Sequence, residues 1–139
     1  MGRSNGGLTT KIHAACIDEI SSVALVLSPG QSADCSRFGE VFGELSEDNV
    51  IEAAALDKGY DTNAIRYHLA VEGIEAVIPP RSHRKEQFAY DKAVYRERNR
   101  VERFFNRLKH FRRIATRYEK YSRTFLAMVH LTSAFILIR

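Results

Sequence analysis

The sequence predicts an α/β fold in one domain, and three observations carry that reading. Short apolar runs at 8–17, 23–27, 50–56 and 74–78 have the length and composition of strands. The stretches that follow the second and third of them keep the spacing of amphipathic helices. Turn-forming residues stand at the joints, at Pro29-Gly30, Gly73 and Pro79-Pro80. A length of 139 residues, 45% hydrophobic and 27% charged, suits a single domain with a modest core.

Residues 1–7 are polar and glycine-rich and read as flexible. In 8–17, Ile12, Ala14 and Cys16 fall on one side of a strand and His13, Ala15 and Ile17 on the other. Residues 18–22 make a turn, and 23–27 return as an antiparallel strand that Pro29-Gly30 ends. Asp34 is placed to cap a helix in which Phe38, Val41, Phe42 and Leu45 keep i, i+3, i+4, i+7 spacing. Residues 50–56 form the third strand, with Asp57 at its C-terminal end and Gly59 giving the turn freedom. Asp61 caps a helix over 62–72 that Gly73 terminates. The fourth strand, 74–78, stops at Pro79-Pro80, and a basic loop follows at 81–87. A long helix runs over 91–114 and a last one over 122–138. There is no internal repeat.

Composition excludes several classes. Cys16 and Cys35 make neither a disulfide framework nor a metal knuckle, and a reducing compartment is the default. The five histidines have no metal-ligand spacing with them. No leader pattern is visible at the start, and the apolar tail 125–138 is too short to span a bilayer, so a buried helix and a cytoplasmic protein are expected. The net charge of +4 conceals an asymmetry: residues 81–123 hold fifteen Lys+Arg against five Asp+Glu, the remainder six against twelve. That basic segment is interleaved with Phe104, Phe105, Phe111, Tyr118 and Tyr121, which points to a polyanion such as nucleic acid.

Within this segment one constellation carries chemistry. On a helix, Tyr95, Arg98, Glu102 and Lys109 fall within an arc of roughly 60°. A neighbouring face carries Val94, Val101, Phe104, Phe105, Leu108 and Phe111, the spacing of a buried stripe. A carboxylate fixed beside cations in this way is suited to a divalent metal and a phosphate; periodicity alone is equally served by a solvated face with an intrahelical Glu–Lys pair. The spacing itself, YRERNRVERFFNRLK at 95–109, resembles the signature around the last acidic residue of the insertion-sequence DDE transposases. GRSNGGLTTKIHA (2–14), LSPGQSAD (27–34), LDKGYD (56–61), VIPPRSHRK (77–85) and FRRIATRYEK (111–120) are similar, in order, to the insertion-sequence-five branch of that family.

The resemblance implies an RNase H-like mixed sheet flanked by helices, with 1–139 as a partial catalytic domain. The family's first, central strand, which bears the first catalytic Asp, is expected upstream of residue 2; Asp18 is read as a hairpin-turn residue and not as that acid. By resemblance Asp57 is the second acid and Glu102 the third, together holding Mg²⁺ or Mn²⁺ in a two-metal site once the first Asp is supplied. Such a site needs carboxylates converging on ions roughly 3.5–4 Å apart, one ion activating the water and one stabilising the leaving oxygen. Tyr95, Arg98 and Lys109 would contact DNA near the scissile phosphate, with Arg81, Arg84, Lys85 and Lys58 as further backbone contacts. The implied function is transposition: strand hydrolysis at element ends and joining to target double-stranded DNA, in an oligomeric complex. Alone the chain is expected to be catalytically incomplete; the missing acid would come from an upstream reading frame, by frameshift fusion or as a separate polypeptide, unless the gene is a decayed remnant. The alternative is a non-catalytic DNA-binding protein or inhibitor derived from a transposase.

Overall fold

The computed structural model describes residues 2–4, 7–17, 23–45 and 49–138. The turn expected at 18–22, with Asp18, lies outside the described residues. Five strands are described: β1 Gly2–Ser4, β2 Gly7–Cys16, β3 Val23–Pro29, β4 Ala53–Ala55 and β5 Glu75–Val77. The helices are α1 Phe38–Gly43, α2 Asn63–Val71, α3 Lys92–Arg96, α4 Asn99–Lys109, α5 Arg112–Ala115 and α6 Ser122–Ile138. Single 3₁₀ turns occupy Asp34–Arg37 and Lys58–Tyr60.

The first half is an antiparallel sheet in the order β1-β2-β3. Gly2–Ser4 pairs with β2, so part of the segment read as flexible is a strand. The β2–β3 register runs from Thr10 opposite Pro29 to Cys16 opposite Val23. Pro29 sits at the strand's last position, and Gly30 N–H donates to Thr9 O at 3.2 Å. A side chain at residue 30 would collide with Thr9, so glycine permits that close approach. Leu25 and Leu27 of β3 and Ile12, Ala14 and Cys16 of β2 face the helices of the C-terminal half.

The second half is a β–α–β unit. β4 and β5 pair in parallel, Ala53 opposite Glu75 through Ala55 opposite Val77, with α2 as the crossover. Thr62 Oγ1 accepts from Ile65 N at 3.2 Å and is the cap of α2. Asp61, read as that cap, does something else. At the other end Gly73 adopts φ +71°, the left-handed conformation that stops a helix at little cost for glycine. Gly59 needs no such freedom, because it lies in a 3₁₀ turn at negative φ. Ile65, Leu69, Ile74 and Ile78 pack with Phe38 of α1 into one core. The capping role expected of Asp34 is also overturned: Ala33 occupies the cap position of the turn, and Asp34 pairs with Lys11 Nζ at 3.0 Å. That turn delays α1, which ends at Gly43.

The long helix expected over 91–114 is divided. Asp91 caps α3, accepting from Ala93 N at 2.7 Å and Val94 N at 3.2 Å. At residues 97–101 the bonds are of i→i−3 type: Glu97 N to Val94 O, Arg98 N to Tyr95 O, Arg100 N to Glu97 O and Val101 N to Arg98 O. The path therefore tightens into 3₁₀ winding between α3 and α4 without leaving helical backbone angles. His110 and Phe111 then close α4, and α5 is a single turn.

The apolar stripe survives this division. Phe104 and Leu108 are buried against Leu25, Ile114, Phe125, Val129 and Ile136. Truncating Leu108 to alanine would cost about 2–5 kcal/mol, since it ties the basic helix to both hairpin and α6. α6 has the bounds read from sequence, yet only one of its faces is buried; Leu131, Phe135 and Ile138 are exposed. No described helix is long and apolar enough to cross a membrane.

The strands thus form two small sheets where one mixed sheet was expected. Among the described residues, the partner of β4 is β5, and Thr10–Cys16 of β2 pairs with β3.

Candidate active site

Between the two sheets lies a cleft of about 480 Å³. Residues 11–17 of the hairpin line one side and residues 51 and 53–57 the other. Phe38, Val41 and Phe42 of α1 and Leu45 just beyond it close one end, and Val94 of α3, Arg98, and Val101 and Phe105 of α4 close the other. Its walls are more apolar than polar, and Lys11, Asp34, Asp57, Tyr60, Glu97, Arg98 and Arg100 bring charge and a hydroxyl to it. Burial and the neighbouring Asp34 and Asp57 charges push the Tyr60 phenol up to about 12, so it stays protonated as a donor.

Asp57 stands two residues past the end of β4 and precedes the Lys58–Tyr60 turn; Tyr60 N–H donates to Asp57 O at 2.8 Å. Glu102 stands in the first turn of α4. Arg98, at the head of that helix, joins them: its Nη2 lies 2.6 Å from Glu102 Oε1 and its Nη1 3.6 Å from Asp57 Oδ2. The two carboxylates are about half exposed, Arg98 less so. Two acids from separate elements therefore share one guanidinium beside the cleft. Tyr95 is adjacent, with the Arg98 guanidinium 5.8 Å from its ring centre and Tyr90 edge-on at 5.5 Å. Burial raises the Tyr95 hydroxyl above its usual range; the Arg98 charge works against that.

Lys109 is exposed at the last position of α4. Seven residues beyond Glu102, it stands roughly 10 Å further along the helix. It extends the basic strip and does not join the Asp57–Arg98–Glu102 group.

The loop at 81–87 is organised by Asp61. That carboxylate is buried, accepting from Arg66 Nε at 2.7 Å and Arg81 N at 2.8 Å, with Arg84 Nη1 at 3.7 Å. Burial alone would raise its pKa, but the Arg81 amide, Arg66 and Arg84 outweigh it and hold the carboxyl below its usual range. The side chains of Arg81 and Arg84 also turn inward. Arg81 donates to Lys58 O at 3.2 Å and Gly59 O at 2.7 Å, and Arg84 donates to Asn63 Oδ1. Arg66 and Arg84 both lie over the Phe88 ring, at 4.4 and 5.0 Å. Lys85 and Lys58 are exposed. Helix-capping logic missed this hub because a capping role already accounts for an Asp before a helix; two of its three arginines, Arg81 and Arg84, come from a loop some twenty residues on.

Asp57 and Glu102 fit a divalent cation in chemistry: both are hard, anionic, accessible oxygen donors from different elements. Among the described residues, no group of three or more His, Cys, Asp or Glu side chains is assembled to hold a metal by itself. The geometry thus supplies a pair of acids.

A family profile described as Transposase DDE domain matches residues 54–139, a span that contains Asp57, Asp61, the basic loop and the whole basic segment. A protein of Brucella ovis, named as a candidate transposase for insertion sequence element IS6501, is 35% identical over 134 residues, covering 95% of this chain and 100% of that protein. No solved structure matches.

Proposed function

This chain belongs to the DDE transposase family, and from that premise we propose that it serves DNA transposition, in the insertion-sequence-five branch, with Asp57 and Glu102 as two acids of a metal-dependent catalytic site. The observation that carries the reading is the meeting of these carboxylates on Arg98. Asp57 and Glu102 would hold Mg²⁺ or Mn²⁺ through carboxylate oxygens, and the cation would supply Lewis-acid stabilisation of phosphate charge and activation of a water. Arg98, Tyr95 and Lys109 form a strip that holds double-stranded DNA by its phosphates, and Lys85 and Lys58 extend it across the loop. Arg81 and Arg84 shape that loop from within.

The third oxygen donor enters on an extended segment seated in the cleft. Residues 11–16 and β4 offer strand backbone on its two sides, and the walls between mix apolar side chains with charged ones. A strand of four to six residues ending in Asp would join the two sheets into one RNase H-like sheet and bring its acid to Asp57. That segment, supplied by fusion or as a separate polypeptide, completes an active assembly that is oligomeric.

The test supplies that polypeptide, fused or in trans, and measures Mg²⁺-dependent nicking of an element end. Asp57→Asn and Glu102→Gln are expected to reduce cleavage to background while duplex binding is kept. Cleavage retained by either variant removes that residue from the site. Binding without cleavage in every combination would favour the non-catalytic DNA-binding protein.

A further inference from the structure

We infer that Asp61 is a positioning residue for the candidate active site: its buried carboxylate locks the turn that carries Asp57 to the basic loop at 81–87. The inference rests on the assignment of Asp57 to the metal site.

The route is short and every link is a hydrogen bond. Asp61 accepts the Arg81 main-chain N–H at 2.8 Å, which fixes where the loop leaves Pro80. Arg81 then turns its guanidinium back onto Lys58 O and Gly59 O, the backbone of the 3₁₀ turn between Asp57 and Asp61. That turn is closed by Tyr60 N–H to Asp57 O at 2.8 Å and Asp61 N–H to Lys58 O at 3.2 Å. Arg66, also held by Asp61, donates through Nη2 to Ile78 O at 2.9 Å and ties α2 to the end of β5. Phe88 covers the two guanidiniums that flank the carboxylate.

A surface cap would not need this construction. Asp61 is 2% exposed, and a charge removed from water to that degree is costly unless its partners are fixed. Of its two cations, Arg66 comes from α2 and Arg84 from the basic loop, while Arg81 reaches it through the main-chain amide. The network spends Arg81 and Arg84 inside the protein, holds Asp57 at the cleft and leaves Lys58 and Lys85 outward. The result is one rigid unit that presents an acid and two cations together.

The experiment uses the full 139-residue chain and reads amide hydrogen exchange together with Mn²⁺ affinity, below the melting temperature of each variant. In Asp61→Asn, the Tyr60 amide is expected to exchange faster by about tenfold or more, with amides of α2 such as Leu69 unchanged. Mn²⁺ binding is expected to weaken by about tenfold or more, with no further loss when Asp61→Asn is added to Asp57→Asn. Arg81→Ala, which cuts the side-chain strut and keeps the amide bond, is expected to loosen Tyr60 less, and it decides the matter if Asp61→Asn does not fold. Asp61→Glu should not rescue, because the longer chain has no room. A uniform rise in exchange across α2 and β5, or Tyr60 exchange unchanged in Arg81→Ala, makes Asp61 plain fold support and overturns the inference. Mn²⁺ binding indifferent to Asp57→Asn sinks the metal assignment, and the exchange pattern then decides the role of Asp61 without it.

Discussion

Arg98 reaches Asp57 at 3.6 Å while it holds Glu102 at 2.6 Å, and so couples the turn after β4 to the head of the basic helix. A cation that binds those carboxylates competes with the guanidinium for the same oxygens. Each pair is partly exposed and worth at most about 1 kcal/mol. Arg98→Gln is therefore expected to tighten Mn²⁺ binding, with about thirtyfold as the ceiling if both pairs compete in full. Titration of free Mn²⁺ measures it. Weaker binding in the variant would mean that Arg98 gathers the acids and does not compete for them.

The second expectation concerns DNA. The segment 81–123 carries fifteen Lys+Arg, and Lys85, Arg107 and Lys109 are exposed along it. Phosphate contacts release counterions, so duplex affinity should fall about a hundredfold or more between about 50 and about 200 mM salt, with little sequence preference. Lys109→Ala should lower the slope by about one without altering preference. Fluorescence anisotropy with two unrelated duplexes checks both; salt-independent binding would remove the basic strip as the interface.

The parts of this arrangement that were legible in the sequence are those set by local chemistry. Phe104 and Leu108 lie three and seven residues after Val101, a spacing that fixes which side of the helix is buried. Gly73 could be read as a stop because few other residues accept its backbone angles. α6 runs between the bounds its composition marks. The pairing of Asp57 with Arg98 followed from neither period nor composition; the family pattern placed both residues at a site without joining them. Long-range choices were hidden. Asp34 takes Lys11 from a distant strand, and Asp61 pairs with Arg66 and with Arg84 of the loop and accepts the Arg81 amide, so residues with the look of caps became ion pairs. The 3₁₀ winding at 97–101 left no mark in the apolar spacing, because Val94 and Val101 stay on the covered side. Two short sheets in place of one mixed sheet reflect pairing on either side of the cleft and none across it among the described residues, a choice that strand patterns do not encode.

The last expectation is a two-step loss of stability in acid. His13 is buried, with Nε2 2.7 Å from Ser28 Oγ, and burial is the main reason its pKa lies below the ordinary 6.5. Lys11 and Arg37 lower it further, while Asp34 and Glu40 oppose them. The folded protein therefore prefers the neutral ring. Between its depressed pKa and 6.5 the unfolded chain binds more protons, so stability is full above 6.5 and declines as pH falls, by at most about 1.4 kcal/mol per pH unit for one group. Asp61 acts in the same direction in a lower window. Its folded pKa is below the ordinary 3.8, so its contribution is present above that value and is lost as pH falls through the folded one. Thermal unfolding from pH 8 to pH 2 should show a first decline beginning near 6.5 and a second below about 4. His13→Gln should flatten the first and leave the second, and Asp61→Asn should do the reverse. A melting temperature that is level from pH 6.5 to pH 5, or a first decline that persists in His13→Gln, would show that the buried His13–Ser28 pair does not set the acid response.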